Sequence, residues 1–205
     1  MKQLSNIWFV VAMLAAMFCL SSCSETDDNV EEYADWQNKN DVFFARLVSD
    51  TQQKIDQGQT SWGLYPSFTL PDKGYSFGYG DYVVAEKLKE GSGLTSPLLT
   101  DSVEVHYMGR LLPSPSYAQG LIFDRSYAGI FDPELATPSK FLVSGVVRGF
   151  ATALMHMHRG DHWRVYIPYQ LGYGSSARSA IPGYSTLIFD LQLENFWRKT
   201  KGDRE

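Results

Sequence analysis

The segment 145–167, GVVRGFATALMHMHRGDHWRVYI, changes period partway along, and that change decides the fold. Val146, Val147, Phe150, Leu154 and Met157 recur at helical spacing, and Gly160 supplies a stop. From His162 the period falls to two, so Trp163, Val165 and Ile167 share one face of a strand. TLIFDLQL, 186–193, alternates likewise through Leu187, Phe189, Leu191 and Leu193. Upstream, YVVAEKLKEG (82–91) and DSVEVHYMGRLL (101–112) read as strands. In the second, Val103, Val105 and Tyr107 take one face while Glu104 and His106 take the other. GLIFDRS (120–126) and SKFLVS (139–144) are shorter strands set off by loops. Several strands around one short helix make an α+β arrangement, an antiparallel sheet burying one face against the helix.

Between the last two strands lies IPYQLGYGSSARSAIPGYS, 167–185, far longer than a hairpin loop. Its tyrosines and apolar residues argue against a merely solvated connector; it is expected to cover something.

Residues 31–57 are expected to form a helix ended by Gly58, with Trp36, Phe43, Phe44, Leu47, Val48 and Ile55 in one apolar stripe. The favoured reading packs this stripe on the following domain; a dimerising helix is the alternative. The stretch 59–81, QTSWGLYPSFTLPDKGYSFGYGD, reads as an irregular connector that packs, since free linkers seldom carry so many rings.

The N-terminus reads as an address. One lysine precedes the apolar run IWFVVAMLAAMFCL, 14 residues long, too short for a bilayer span but suited to an export signal. It ends in LSSC, Leu20 to Cys23, which resembles the lipobox of bacterial lipoproteins. That resemblance implies cleavage before Cys23 and acylation there, anchoring the chain to a membrane; multiple acyl chains hold a protein where one does not. The cysteines number two, Cys19 and Cys23, so the mature body is expected to lack thiols and disulfides. SETDDN follows, a short acidic tether similar to the surface-export signals of Bacteroidota-type lipoproteins. A cell-envelope location follows, with the outer membrane favoured and its face open.

The chain of 205 residues, 44% hydrophobic and 14% aromatic, has material for one cored domain plus extensions. Its net charge is −5, and −6 without the first 22 residues, which carry one lysine and no acid. That balance disfavours a general nucleic-acid binder. His156, His158 and His162 crowd together, but a helical i, i+2 pair diverges by about 200°. No metal site and no cofactor is expected from that spacing.

VEVHYMGRL, FDRS, VVRGF, IPYQLGYG and IPGYSTLIFDLQL stand in the order and rough spacing of the FK506-binding protein (FKBP) family of peptidyl-prolyl isomerases, which residues 82–197 resemble. The resemblance implies an FKBP-like twisted antiparallel β-sheet wrapped around one short α-helix, here preceded by the N-terminal helix. With the N-terminal readings above, the chain is expected to divide into a signal segment (1–22), tether (23–30), helix and connector (31–80), isomerase domain (81–197) and polar tail (198–205). By the same resemblance, Tyr107, Asp124, Phe150 and Tyr173 form the catalytic group. Phe150 is the pocket floor, Asp124 a buried-edge carboxylate, and Tyr173 a hydroxyl donor to a substrate carbonyl. Phe123, Phe141, Val146, Val147, Ile181 and Phe189 complete the walls, with the backbone N–H of Val147 a second donor. The implied partners are proline-containing polypeptides and macrolides of the FK506 or rapamycin type.

The chain also departs from the family pattern. PSKF leaves Ser139 where a second aromatic is common, LLPSPSYAQGLIFD is several residues longer than usual, and the chain is about two residues shorter before VVRGF. Arg178 stands near a frequent histidine position, and Ala180 replaces an apolar residue before Pro182. Two readings therefore remain open at this level: an envelope isomerase, preferred because the catalytic demand is mainly a desolvated apolar pocket, and a non-catalytic binding module on the same fold.

Overall fold

The computed structural model describes residues 31–71, 74–132 and 135–198. The expected signal segment, the tether with Cys23, and the tail beyond Arg198 lie outside the described residues. The order of elements is α1 (Trp36–Asp56), β1 (Trp62–Pro66), β2 (Tyr82–Lys89), β3 (Ser102–Arg110), β4 (Ile122–Arg125), β5 (Ser139–Leu142), α2 (Arg148–Leu154), β6 (His162–Ile167) and β7 (Leu187–Trp197). Single 3-10 turns occur at Tyr79–Asp81, Val143–Gly145 and Tyr169–Leu171. The strands form one antiparallel sheet in the order β1-β2-β6-β7-β3-β4. β5 shares an edge of β3 with β4, pairing with Ser102–Val105 while β4 pairs with Met108–Arg110. The α+β class and the sheet around a short helix are as expected.

The period-two faces pack as the sequence dictates. Leu187, Phe189, Leu191 and Leu193 on β7 are all buried, as are Trp163, Val165 and Ile167 on β6. The register sets Phe189 opposite both Val165 and Gly109, so three strands contribute to one core layer. Helix α2 lies across it with Gly149 through Leu154 buried. Gly149 permits the approach: a Cβ there would fall 2.2 Å from Ile167 Cγ2. The helix ends at Leu154, earlier than its apolar spacing predicts. Asp161 explains the early stop, since its carboxylate takes the N–H groups of His158 (2.7 Å) and Gly91 (2.6 Å) and bends the chain before Gly160. Met157 remains fully buried, outside the helix.

On β2, Val83, Val84 and Ala85 are buried in succession, the mark of a strand covered on both faces. α2 packs on one face; α1 lies on the other, where Phe43 meets Tyr166 at 6.3 Å. The favoured packing of α1 onto the domain holds, with two corrections. The helix begins at Trp36 rather than residue 31, after Asp35 in the left-handed region at φ 50°. Its buried stripe includes the polar residues Asn40 and Thr51, which a hydrophobic pattern omits.

The expected connector also needs correction, because it contains β1. Trp62 to Pro66 pair with Glu86 to Tyr82, so the sheet starts near residue 62 instead of 81. Gly63 and Pro66 masked the strand; Pro66 is tolerated because β1 is an edge strand and Pro66 ends it. His106, on the face of β3 opposite Tyr107, is buried as well, with Phe131 at 4.9 Å between ring centroids.

Candidate active site

A cavity of about 260 Å³ opens between α2 and the sheet. β3 brings Tyr107 to it, β4 Asp124, β5 Phe141, α2 Phe150, β7 Phe189, and the long loop Tyr173; Gly145, Val146 and Val147 close the side at the start of α2. The rings interlock edge to face. Phe150 meets Phe189 at 4.9 Å and 85°, and Tyr107 at 6.2 Å and 85°. Phe141 stands 5.8 Å from Tyr107 and 6.5 Å from Phe150. Such contacts fix ring positions as well as burying apolar area.

Two expected wall residues are placed differently. Phe123 does not line the cavity; it backs Phe189 edge-on at 5.5 Å and 88°. Gly109 makes room for both rings, since a Cβ there would lie 2.6 Å from Phe189 and 2.7 Å from Phe123. Ile181 is also absent from the lining; it is buried in the core beneath the loop. The other eight expected residues all line the cavity.

The polar end is built around Tyr107. Its hydroxyl donates to Asp124 Oδ2 at 2.9 Å, while Asp124 Oδ1 accepts the N–H of Arg125 at 2.8 Å. Asp124 itself is exposed, a rim carboxylate rather than the buried one expected. Burial raises the Tyr107 phenol well above its usual range, and the Asp124 carboxylate raises it further. The nearby Ser139 hydroxyl, where the family pattern has an aromatic, partly opposes that rise. The Tyr107 backbone is held too, with its N–H on Ser126 Oγ at 2.9 Å. Tyr107 thus remains a neutral donor at every physiological pH.

Val147 is the N-cap residue of α2, in extended geometry, with its carbonyl accepting from Ala151 at 3.0 Å. Tyr173 stands at the rim, 36% exposed. The arm carrying it folds back on itself: Arg178 and Ile181 exchange backbone bonds at 2.8 and 2.9 Å, and Tyr184 N–H reaches Gly174 O at 2.9 Å. The Arg178 guanidinium sits 5.8 Å from the Tyr173 ring centroid. Sequence reasoning missed the contacts of Ser139 and Arg178, although it flagged both positions as departures. It also missed Gly145, whose loop position carries no signal.

The histidine cluster disperses. His156 packs on Tyr65 at 4.6 Å and its Nδ1 lies 2.8 Å from Thr152 O. His158 lies beside Asp161 at 3.7 Å, and His162 belongs to β6.

The architecture is that of an α+β domain presenting an aromatic cleft between one short helix and one antiparallel sheet. Residues 94–194 match the family model described as FKBP-type peptidyl-prolyl cis-trans isomerase, and the chain carries a domain of that family. It is 38% identical over 112 residues to the macrophage infectivity potentiator of Trypanosoma cruzi, covering 54% of this chain and 51% of that protein. It is 37% identical over 107 residues to the FKBP-type 22 kDa peptidyl-prolyl cis-trans isomerase of Escherichia coli, covering 52% and 46%. To the FKBP-type peptidyl-prolyl cis-trans isomerase FkpA of Escherichia coli it is 31% identical over 166 residues, covering 79% and 56%. The chain therefore spans about half the length of these relatives.

Proposed function

We propose that this protein is a peptidyl-prolyl cis-trans isomerase acting on X–Pro bonds of exported polypeptides. The observation that carries the reading is the convergence of Tyr107, Asp124, Phe150, Phe189 and Tyr173 on one cavity from five different parts of the chain. Rotation about an X–Pro bond removes amide resonance, against a barrier of about 18–20 kcal/mol, and no covalent chemistry is needed to lower it. The planar amide is more charge-separated than the twisted one, so an aromatic cleft that excludes water favours rotation. In this reading the proline ring rests on Phe150 between Tyr107 and Phe189. Tyr173 O–H and the N–H of Val147 donate to substrate carbonyls, the latter as one of the helix-terminal amides that lack an intrahelical acceptor. Asp124 faces the carbon of the twisting amide and orders Tyr107. The same cleft would accept macrolides of the FK506 type.

LSSC at Leu20–Cys23 and the acidic stretch after it support a lipid anchor at Cys23 and an outer-membrane location. Mass spectrometry of the membrane fraction tests this by the mass of acyl chains on Cys23.

A protease-coupled or NMR-exchange assay on a proline tetrapeptide, using residues 24–205, tests the activity. Acceleration above background that falls in Asp124→Ala and Tyr173→Phe supports the reading; a parent protein with no acceleration overturns it.

A further inference from the structure

The arm between β6 and β7 is fastened to α1 directly at its far root and, at its near root, through the 79–81 turn. At the far root, the Trp36 indole N–H donates to Ser185 Oγ at 2.9 Å, and Ser185 O–H passes on to Pro182 O at 2.7 Å. One helical turn later, Asn40 Oδ1 accepts the N–H of Thr186 at 2.7 Å, while its Nδ2 donates to Trp36 O at 2.7 Å. Trp36, Asn40, Ser185 and Thr186 are all at least nine-tenths buried. At the near root, Gln170 packs so closely on Gly80 that a Cβ there would lie 2.7 Å from it. The adjoining Tyr79 donates to Asp41 of α1 at 3.1 Å. The roots also touch each other through Tyr169 and Tyr184, 5.1 Å apart.

Toward the cleft, Arg148 of α2 donates to Gln170 O at 2.6 Å and Leu171 and Ile181 are buried in the core, with Tyr173 carried on the stretch between them. Tyr173 is exposed at the rim and Arg178 lies over its ring, so its placement depends on where the roots are held. A buried amide or indole N–H without an acceptor is strongly unfavourable, so these links define one position for the roots. We propose that Trp36 and Asn40 are positioning residues of the cleft: α1 sets the Tyr173 arm over the substrate instead of serving only as a buttress. The proposal rests on the isomerase reading for its kinetic consequence and on the geometry alone for its mechanical one.

The test uses the full chain with Asn40→Ala, Trp36→Phe, Ser185→Ala and the double variant Trp36→Phe/Ser185→Ala. On a proline tetrapeptide, each single variant is expected to raise KM about 3- to 10-fold with kcat within about twofold, as lost positioning of a rim donor requires. The double variant is expected to match its worse single, because both remove one link. Hydrogen exchange should quicken about tenfold or more at the arm amides of Ile181 and Tyr184 and stay unchanged at Tyr107 and Leu191. Exchange that rises equally in arm and sheet, or additive effects in the double variant, overturns the proposal. If the parent shows no isomerase activity, the functional reading falls, and the exchange pattern alone decides whether α1 holds the arm.

Discussion

The Tyr107 hydroxyl donates to Asp124 at 2.9 Å, joining a ring that is 7% exposed to a carboxylate open to solvent. The pair spans β3 and β4 at the mouth of the cleft, so one partner is rigid and the other can meet a substrate.

Asp124→Ala should therefore separate activity from stability. The Tyr107 backbone keeps its bond to Ser126, and loss of one partly exposed hydrogen bond should change unfolding free energy by only about 1 kcal/mol. We expect kcat/KM to fall about tenfold or more, equivalent to about 1.4 kcal/mol or more of lost transition-state stabilisation. Paired denaturant titration and isomerase assays check this; equal losses in both would assign Asp124 a structural role.

Arg178→Ala should loosen Tyr173. A cation over an exposed aromatic ring contributes about 0.5–1 kcal/mol, so KM should rise about two- to fivefold with kcat nearly unchanged. Arg178→Lys should recover part of the loss. An unaltered KM in Arg178→Ala would show that the ring is held by other contacts.

Gly149→Ala should destabilise the whole domain. The new methyl would meet Ile167 Cγ2 at 2.2 Å, and overpacking of this kind costs about 1–3 kcal/mol. Ile167→Ala, which removes Cγ2, should therefore cost less in the Gly149→Ala background than in the parent, as read from midpoints in urea. Equal costs in the two backgrounds would point to strain within α2 instead.

Alkali should weaken the fold through its buried phenols. Burial, with a smaller contribution from Asp161, pushes Tyr65 up to about 12, and burial raises Tyr107 as well. A raised folded value means that the neutral phenol is favoured in the native state. Its stabilising contribution is complete below the unfolded value of about 10 and is lost as pH rises from there through the folded value. Tm should hold between about pH 7 and 9 and decline from about pH 10. Tyr65→Phe should flatten that decline, and an unchanged slope would remove Tyr65 as its source.

Most of the sheet was legible because period-two alternation survives wherever one face is buried, as in Trp163–Ile167 and Leu187–Leu193. β1 was not, because a five-residue edge strand holding Gly63 and Pro66 carries the composition of a turn. The role of Asn40 was hidden for the opposite reason: a polar residue on an apolar stripe breaks the pattern, yet its partner is a backbone N–H 146 residues away. Within the cleft, the rings and Tyr173 were placed by their family motifs. The motifs could not tell that Phe123 stands behind Phe189, since strand alternation gives a face and not a depth. The long 112–120 stretch likewise acquires a partner only in three dimensions, where Ser114 and Ser116 bond Glu32.

The sheet ends on one side in β1, five residues closing at Pro66, and on the other in β4 and β5, four residues each. Edges so short offer little template for an incoming strand. On the proposed isomerase reading the protein would meet unfinished chains with unpaired backbone, and a long open edge would capture them by strand addition. On that reading, blunted margins would leave the aromatic cleft as the place of contact, from which a client could leave once its proline has turned.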